Sequence, residues 1–311
     1  MMSPMAIRRV LAPCVTILFG SFTAQGAPST TDLFAHLVRI RRDIPYVING
    51  TPEQTGDLYI PRSLGNHPAV LLIHGGAWKW GTRNDPGVSY MAPRLAAHGY
   101  EVFNIDYRLV GLGGRFPGDL IDCKNALAWL TAHAASLHIR PHEIFVAGCS
   151  AGAHLALMTA YTAGTKYFPP TDYTHAPLRV RAVIGFYTPT NLMLIRGMGS
   201  KSWAGKLVRN YLKNWLKLHP INGLLTASPI AYIHHAVPTL LFQGTGDTLV
   251  PPIEAALMAG ALRDAGKSVK LVMVKGVGHA FMDIPAPVRR HALRKMLSFL
   301  KAELKAPMHH R

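Results

Sequence analysis

The chain has 311 residues, of which 49% are hydrophobic and 16% charged, so it is neither disordered nor fibrous and has ample apolar material for a core. Its formal charge of +17 at pH 7 would suit nucleic acid, an anionic membrane surface or an anionic substrate. The chain contains no nucleic-acid-binding motif, and the composition therefore predicts a basic globular protein without a nucleic-acid partner.

Residues 1–26 have the pattern of a signal peptide. The pair Arg8-Arg9 precedes an apolar run over 10–22, and small residues lead up to the expected cleavage point after Gly26. The run is shorter than the roughly 20 residues that a membrane span needs, although an uncleaved anchor is the alternative. We expect cleavage to leave 27–311 as an exported protein, periplasmic or secreted.

Continuous apolar runs alternate with helix-like segments through the rest of the chain. Predicted strands cover 56–61, 68–74, 100–107, 143–149, 180–187, 238–244 and 268–274. Predicted helices cover 88–98, 119–136, 151–163, 252–265 and 287–304. This alternation predicts an α/β fold with a mostly parallel central sheet and helices on both faces. Residues 190–227 break the alternation with helical spacing alone, which predicts a cap inserted over the sheet edge of a single domain, 27–311.

A serine lies in a glycine-rich turn between a predicted strand and a predicted helix. The stretch Gly148-Cys149-Ser150-Ala151-Gly152 has the G-x-S-x-G pattern of a nucleophile elbow, where a strained turn exposes the serine hydroxyl above the sheet. Side chains in place of the two glycines would clash with the adjoining strand and helix. The pattern predicts Ser150 as a catalytic nucleophile.

A nucleophilic serine needs a histidine to take its proton and a carboxylate to orient that histidine. In this architecture the chain order is serine, acid, histidine. Asp247 follows a buried strand, and His279 lies in a glycine-rich turn after the last strand, so these two are predicted to complete a triad. Less well supported carboxylates are Asp172, Asp264 and Asp283. His154, on the helix after the elbow, is predicted to be structural.

The stretch His74-Gly75-Gly76-Ala77-Trp78 follows a predicted strand and predicts an oxyanion hole. Glycines let backbone N–H groups approach a ligand oxygen closely. We expect the N–H groups of Gly76, Ala77 and Ala151 to stabilise a tetrahedral oxyanion.

With these motifs, the chain from about Asp57 to the last helix resembles the α/β-hydrolase superfamily, in the esterase branch with an HGG-x-W motif. It is similar to feruloyl-esterase-like carboxylesterases and to kynurenine formamidases, and the stretches "DYRL" (106–109) and "SAGAHLA" (150–156) also match. The resemblance implies the α/β-hydrolase fold and assigns the oxyanion amides to Gly76 and Ala77. It also implies that Asp106, Tyr107 and Arg108 are structural.

Together these features predict a serine carboxylesterase that acts on a small-molecule ester through an acyl-enzyme. No metal or cofactor is expected, because the chemistry needs none and the cysteines left after cleavage, Cys123 and Cys149, show no metal-ligand spacing. The alternatives are an arylformamidase, an exopeptidase, a non-catalytic binding protein on a hydrolase scaffold and a membrane-surface protein. Export counts against the formamidase, whose substrate is intracellular. The sequence does not indicate an oligomeric state.

The predicted cap carries two stripes at helical spacing. One is apolar and consists of Trp203, Leu207, Tyr211 and Trp215, and the other is basic and consists of Lys206, Arg209, Lys213 and Lys217. A lid helix packed on the core with a solvated basic side explains both. The sharper hypothesis is that Trp203, Tyr211 and Trp215 wall the substrate pocket while the lysines attract anionic substrates or, weakly, a membrane surface.

Overall fold

A sheet of eight strands forms the centre of the computed structural model, which describes residue 34 and residues 36–199, 202–284 and 287–307. The predicted signal peptide lies outside the described residues. The strands are β1 (Val38–Pro45), β2 (Thr55–Pro61), β3 (His67–Ile73), β4 (Glu101–Ile105), β5 (Ile139–Cys149), β6 (Val183–Phe186), β7 (Thr239–Gly244) and β8 (Val269–Val274). Their spatial order is β1-β2-β4-β3-β5-β6-β7-β8, and all neighbours from β4 to β8 are parallel.

Helices cover both faces of the sheet, as a parallel sheet requires. The described helices of the α/β layers are α1 (Pro86–Ala97), α2 (Gly118–Ala132), α3 (Ala151–Tyr161), α8 (Pro252–Asp264) and α9 (Pro287–Lys305). Apolar residues of α1 and α9 pack in one core cluster, and those of α2, α3 and α8 pack in the other. Central strands such as β3 are buried along their whole length, which explains their uninterrupted apolar runs.

The strand order reverses between β3 and β5. The next strand along the chain, β4, pairs with one edge of β3, whereas β5 pairs with the other edge of β3. In open α/β sheets the crevice at such a reversal, beyond the carboxyl ends of the strands, is the place where ligands bind. The turns after β3 and after β5 therefore occupy the preferred binding position of this fold.

The seven predicted strands and five predicted helices of the α/β layers are confirmed, with shifts of a few residues at their ends. The strand β1 was not predicted. It pairs antiparallel with β2 at the sheet edge, and three of its five exposed positions carry arginines. A solvated edge strand needs only one apolar face, so its sequence lacks the buried-strand pattern.

The stretch 190–227 contains four short helices over its described residues. They are α4 (Leu192–Gly197), α5 (Trp203–Tyr211), α6 (Lys213–Leu218) and α7 (Gly223–Thr226), and a 3₁₀ helix, Pro229–His235, follows them. The prediction of a single amphipathic helix across 203–217 is wrong, because α5 ends at Tyr211 and α6 begins at Lys213, with Leu212 between them. We refer to 190–227 as the cap segment. None of the helices described is both long and apolar enough to cross a membrane.

Candidate active site

Ser150 lies in the turn between β5 and α3 with a backbone φ of 53°. This left-handed conformation is costly for a residue with a side chain and persists only where the surroundings enforce it. The flanking glycines show how closely the surrounding backbone packs against this turn. A Cβ on Gly152 would lie 2.1 Å from the carbonyl oxygen of His74, and one on Gly148 would lie 2.3 Å from the carbonyl oxygen of Gly152. The glycines are therefore required by close backbone approach.

Three side chains predicted from different parts of the chain form one hydrogen-bonded series. The Ser150 Oγ lies 2.9 Å from His279 Nε2, and His279 Nδ1 lies 2.8 Å from Asp247 Oδ2. Because the carboxylate can only accept, Nδ1 carries the proton and Nε2 is left to accept from the serine hydroxyl. The arrangement can deprotonate Ser150 as its oxygen attacks an electrophile.

Asp247 is itself held by several donors. Its Oδ1 accepts from the backbone N–H groups of Leu249 and Val250, each at 2.9 Å, and its Oδ2 accepts from Gln243 Nε2 at 3.0 Å. The side chain of Asp247 is buried. These bonds fix the carboxylate so that it, in turn, fixes the imidazole ring of His279.

The competing carboxylate, Asp283, has a different role in the structure. It accepts a hydrogen bond from the backbone N–H of Gly87 in the first turn of α1, and burial raises its pKa. A carboxylate in the first turn of a helix satisfies N–H groups that have no partner within the helix. The ring of Tyr187 packs against that of His279, with centroids 4.8 Å apart and the ring planes at 64°.

The loop after β3 packs directly against the serine turn. A Cβ on Gly75 would lie 3.4 Å from the Cβ of Ser150. Gly76, Ala77 and Trp78 follow with φ values of 103°, 53° and 59°. A Cβ on Gly76 would lie 1.9 Å from the carbonyl oxygen of Trp80, so only glycine fits there.

Ala151 begins α3, and the first N–H groups of a helix have no acceptor within it. The N–H of Ala151 therefore follows the Ser150 turn immediately, while Gly76 and Ala77 belong to the loop that packs against that turn. The predicted oxyanion donors thus come from two adjacent segments of the site.

His74 supports this loop. Its ring stacks on Tyr107 with centroids 4.4 Å apart, and its Nδ1 donates to the carbonyl oxygen of Gly75 at 2.7 Å. The Tyr107 hydroxyl donates to the His74 carbonyl oxygen at 3.2 Å. Burial lowers the pKa of His74 to about 4, so the ring is neutral at pH 7.

Trp78 and His154 connect the loop to α3 and to the end of the cap segment. Trp78 Nε1 donates to His154 Nδ1 at 3.2 Å, and His154 Nε2 donates to the carbonyl oxygen of Ala227 at 2.8 Å. Burial lowers the pKa of His154 to about 4. The prediction that His154 is structural is confirmed, because both of its ring nitrogens are used in packing contacts.

These neutral histidines predict a loss of stability in mild acid. A folded-state pKa of about 4 lies below the ordinary value of 6.5, so the unfolded chain takes up more protons between these pH values. The free energy of unfolding should therefore fall as the pH drops from about 6.5 towards 4. The free energy of unfolding, measured with urea, should differ between pH 7 and pH 5 by about 2 kcal/mol less in His154→Gln than in the wild type, because the glutamine amide does not titrate. An unchanged difference between the two pH values would contradict this account.

The three aromatic residues predicted to wall a pocket do not form a common surface. Tyr211 is only 1% exposed, stacks on Trp78 with centroids 4.3 Å apart and donates its hydroxyl to Asp119 at 3.0 Å. Trp215 is half-buried and donates Nε1 to the carbonyl oxygen of Gly223 at 3.0 Å. Trp203 is 55% exposed.

The expectation is therefore corrected for Tyr211, which is a packing residue. The core-facing positions of the broken helix are Ala204, Val208, Tyr211 and Leu212, a stripe displaced from the predicted one. A period of four drifts around a helix of 3.6 residues per turn, so the predicted apolar stripe could not face one direction throughout.

Two residues at the site were missed by the sequence analysis, Gln243 and Tyr187. Gln243 is a polar residue in the otherwise apolar strand β7, and a buried polar side chain usually has a specific hydrogen-bonding partner. That signal was available in the sequence. Tyr187 directly follows β6 without a comparable signal. The described residues contain no cluster of three or more potential His, Cys, Asp or Glu metal ligands.

Comparison with known proteins places this site in a family context. Residues 57–262 match the model of the family described as BD-FAE. The esterase LipC of Mycobacterium tuberculosis is 30% identical over 82% of this chain and 64% of LipC. The probable carboxylic ester hydrolase LipM of the same organism is 30% identical over 79% of this chain and 56% of LipM. The chain thus spans about 60% of the length of these curated relatives.

Solved structures show the same architecture. A carbohydrate esterase from gut microbiota superposes with a TM-score of 0.74 at 20% sequence identity, covering 86% of this chain and 96% of that one. At this identity the likeness concerns the fold. The α/β-hydrolase fold predicted from the sequence is confirmed.

Proposed function

This chain belongs to the BD-FAE family, and on that premise we propose that it hydrolyses carboxylic esters through an acyl-enzyme on Ser150. The observation that carries the proposal is the continuous hydrogen-bonded series from Ser150 through His279 to Asp247, at 2.9 Å and 2.8 Å. Relatives named as an esterase and a probable carboxylic ester hydrolase support an ester rather than an amide substrate.

In the proposed reaction, Ser150 Oγ attacks the ester carbonyl carbon while its proton passes to His279 Nε2. Asp247 accepts from His279 Nδ1 and stabilises the imidazolium that forms. The N–H groups of Gly76, Ala77 and Ala151 would stabilise the developing oxyanion.

Collapse of the tetrahedral intermediate breaks the bond to the alkoxy oxygen, which takes the proton from His279 and leaves as the alcohol. A water molecule, deprotonated by the same histidine, then attacks the acyl carbon and forms a second tetrahedral intermediate. Its collapse breaks the bond between the acyl carbon and Ser150 Oγ, which takes the proton back from His279, and the acid leaves. Regenerated Ser150 completes the cycle.

Of the three aromatic residues of the cap segment, Trp203 is the one that we propose as a substrate contact. Its ring lies parallel to that of Trp80, with centroids 6.3 Å apart, and the two side chains are 55% and 46% exposed. Trp80 belongs to the loop after β3, and its carbonyl oxygen packs on Gly76. An exposed aromatic pair beside this loop suits a bulky or aromatic ester group.

A fluorophosphonate probe and a series of esters test the proposal. The probe should label wild-type protein at Ser150 and should not label Ser150→Ala, as seen by mass spectrometry of the modified peptide. Turnover of esters with graded acyl chains and aryl alcohols would define specificity, with an N-formyl arylamide as the formamidase comparison. Faster turnover of the formamide than of every ester would overturn the ester assignment.

We also propose that the protein is exported after cleavage behind Gly26, on the strength of the arginine pair, the apolar run and the small residues before that position. N-terminal sequencing of the protein from its native host should then begin at Ala27. A native protein that begins at Met1 would contradict cleavage.

A further inference from the structure

The cap segment has an unusual combination of charge and exposed apolar surface. Within 190–227 there are six Lys or Arg residues and no Asp or Glu. The same segment holds seven of the seventeen large hydrophobic side chains exposed among the described residues, namely Met193, Leu194, Met198, Trp203, Leu218, Ile221 and Leu225. Exposed apolar residues gathered in this way mark an interaction surface more often than chance.

The two most exposed of these side chains lie at the turn between α6 and α7. Leu218 is 76% exposed and Ile221 is 99% exposed, and Leu225 follows in α7. Two exposed lysines, Lys213 and Lys217, precede the turn in α6. We call Leu218, Ile221 and Leu225 the cap tip.

A basic groove lies beside the cap tip. It has a volume of about 440 Å³ and is lined by Met193, Arg196, Gly197, Arg209 and Leu224. Leu224, which lines the groove, is the chain neighbour of Leu225 in the cap tip.

Two carboxylates that accept hydrogen bonds from the described residues of the cap segment lie inside the fold. Asp119 accepts from Tyr211, and Glu254 accepts from the backbone N–H of Thr190 at 2.9 Å, but both carboxylates are buried. The outer surface of the cap therefore presents cations and aliphatic side chains together.

We propose that the cap tip docks on an anionic lipid surface, with Leu218, Ile221 and Leu225 entering the acyl boundary and the neighbouring lysines at the headgroups. Apolar insertion combined with electrostatic attraction is the way in which interfacial segments bind anionic bilayers. A second copy of this chain is a poor occupant, because two acid-free basic surfaces repel each other. The inference concerns binding, and it does not require the proposed hydrolysis.

The competing basic surface is α9, which allows a sharp test. Its exposed positions carry Arg290, Arg294, Lys295, Lys301 and Lys305. Each of its large apolar side chains faces the core or is half-buried, so α9 offers charge without exposed aliphatic residues. Binding by net charge alone would use α9 as readily as the cap.

The experiment is vesicle flotation of the inactive Ser150→Ala protein, which separates binding from turnover. Vesicles of phosphatidylcholine alone are compared with vesicles that also contain phosphatidylglycerol, at low and high salt. We expect binding to the anionic vesicles only, weakened by salt because exposed charges are screened over about 10 Å at 0.1 M.

Two double variants of the cap are compared with matched controls elsewhere. Leu218→Ser with Ile221→Ser removes apolar side chains, and its control is Leu64→Ser, which changes a leucine that is 100% exposed outside the cap. Lys213→Glu with Lys217→Glu reverses two charges. Its control, Lys301→Glu with Lys305→Glu, makes the same net change on α9.

Each cap variant should weaken vesicle binding about tenfold or more, and each control should change it less than about threefold. Equal loss from the cap and α9 charge reversals, with no effect of the serine substitutions, would overturn the proposal in favour of non-specific charge binding. Absence of binding to both kinds of vesicle would also overturn it. So would a concentration-dependent dimer that the serine substitutions abolish, because a second copy would then cover the tip.

Discussion

Ser150→Ala should abolish ester hydrolysis while the protein remains folded. Alanine fits the same confined turn, whose φ of 53° is imposed by the surrounding backbone rather than by the hydroxyl. Loss of the nucleophile in a serine triad lowers turnover by up to about a millionfold. The measurement is kcat/KM on an activated aryl ester, together with the thermal unfolding midpoint.

Ser89→Ala is the matched control, because Ser89 lies on α1 and its hydroxyl donates to the Pro86 carbonyl oxygen, at 3.4 Å. This control should retain the wild-type rate. A folded Ser150→Ala protein with most of its activity would show that another residue is the nucleophile.

The second large effect is expected from Asp247→Asn, which should lower turnover by roughly 10⁴-fold. The amide would present an N–H group to His279 Nδ1, so the histidine would shift its proton to Nε2 and could no longer accept from Ser150. The backbone N–H groups of Leu249 and Val250 donate to Asp247 Oδ1 at 2.9 Å. The Asn oxygen can still accept from both, so the local turn should persist.

Asp283→Asn is the comparison that assigns the acid. Asp283 accepts from the Gly87 N–H at the start of α1, and the amide oxygen of Asn can still accept there, so Asp283→Asn should leave both the fold and turnover nearly unchanged. If Asp283→Asn lowered kcat by several orders of magnitude and Asp247→Asn did not, the assignment of the triad acid would be wrong.

The triad could be predicted because a parallel sheet brings the carboxyl ends of its strands to one edge. Ser150, Asp247 and His279 each follow a strand in the required chain order, so strand assignment was enough to bring together residues far apart in sequence. The same logic identified the loop after β3, where glycines signal close backbone approach.

Other features depend on packing that a pattern of residue types does not report. The break at Leu212 and the burial of Tyr211 follow from the fit of the cap against Trp78 and α2. The strand β1 is invisible as a buried run because its exposed face is basic. Gln243 was detectable in principle, but its partner Asp247 becomes evident only when the turn after β7 is seen.

The path from Trp78 through His154 to Ala227 links the end of the cap segment to the loop after β3. A force or ligand that displaces the end of the cap would pull on Trp78 and, through the backbone, on the neighbouring amides of Ala77 and Gly76. The hydrogen bonds among Ser150, His279 and Asp247 include no atom of this path. The path nevertheless reaches the serine turn, because the backbone N–H of His154 donates to the Ser150 carbonyl oxygen at 3.0 Å, so tension in the cap should be transmitted to the nucleophile turn as well as to the loop after β3.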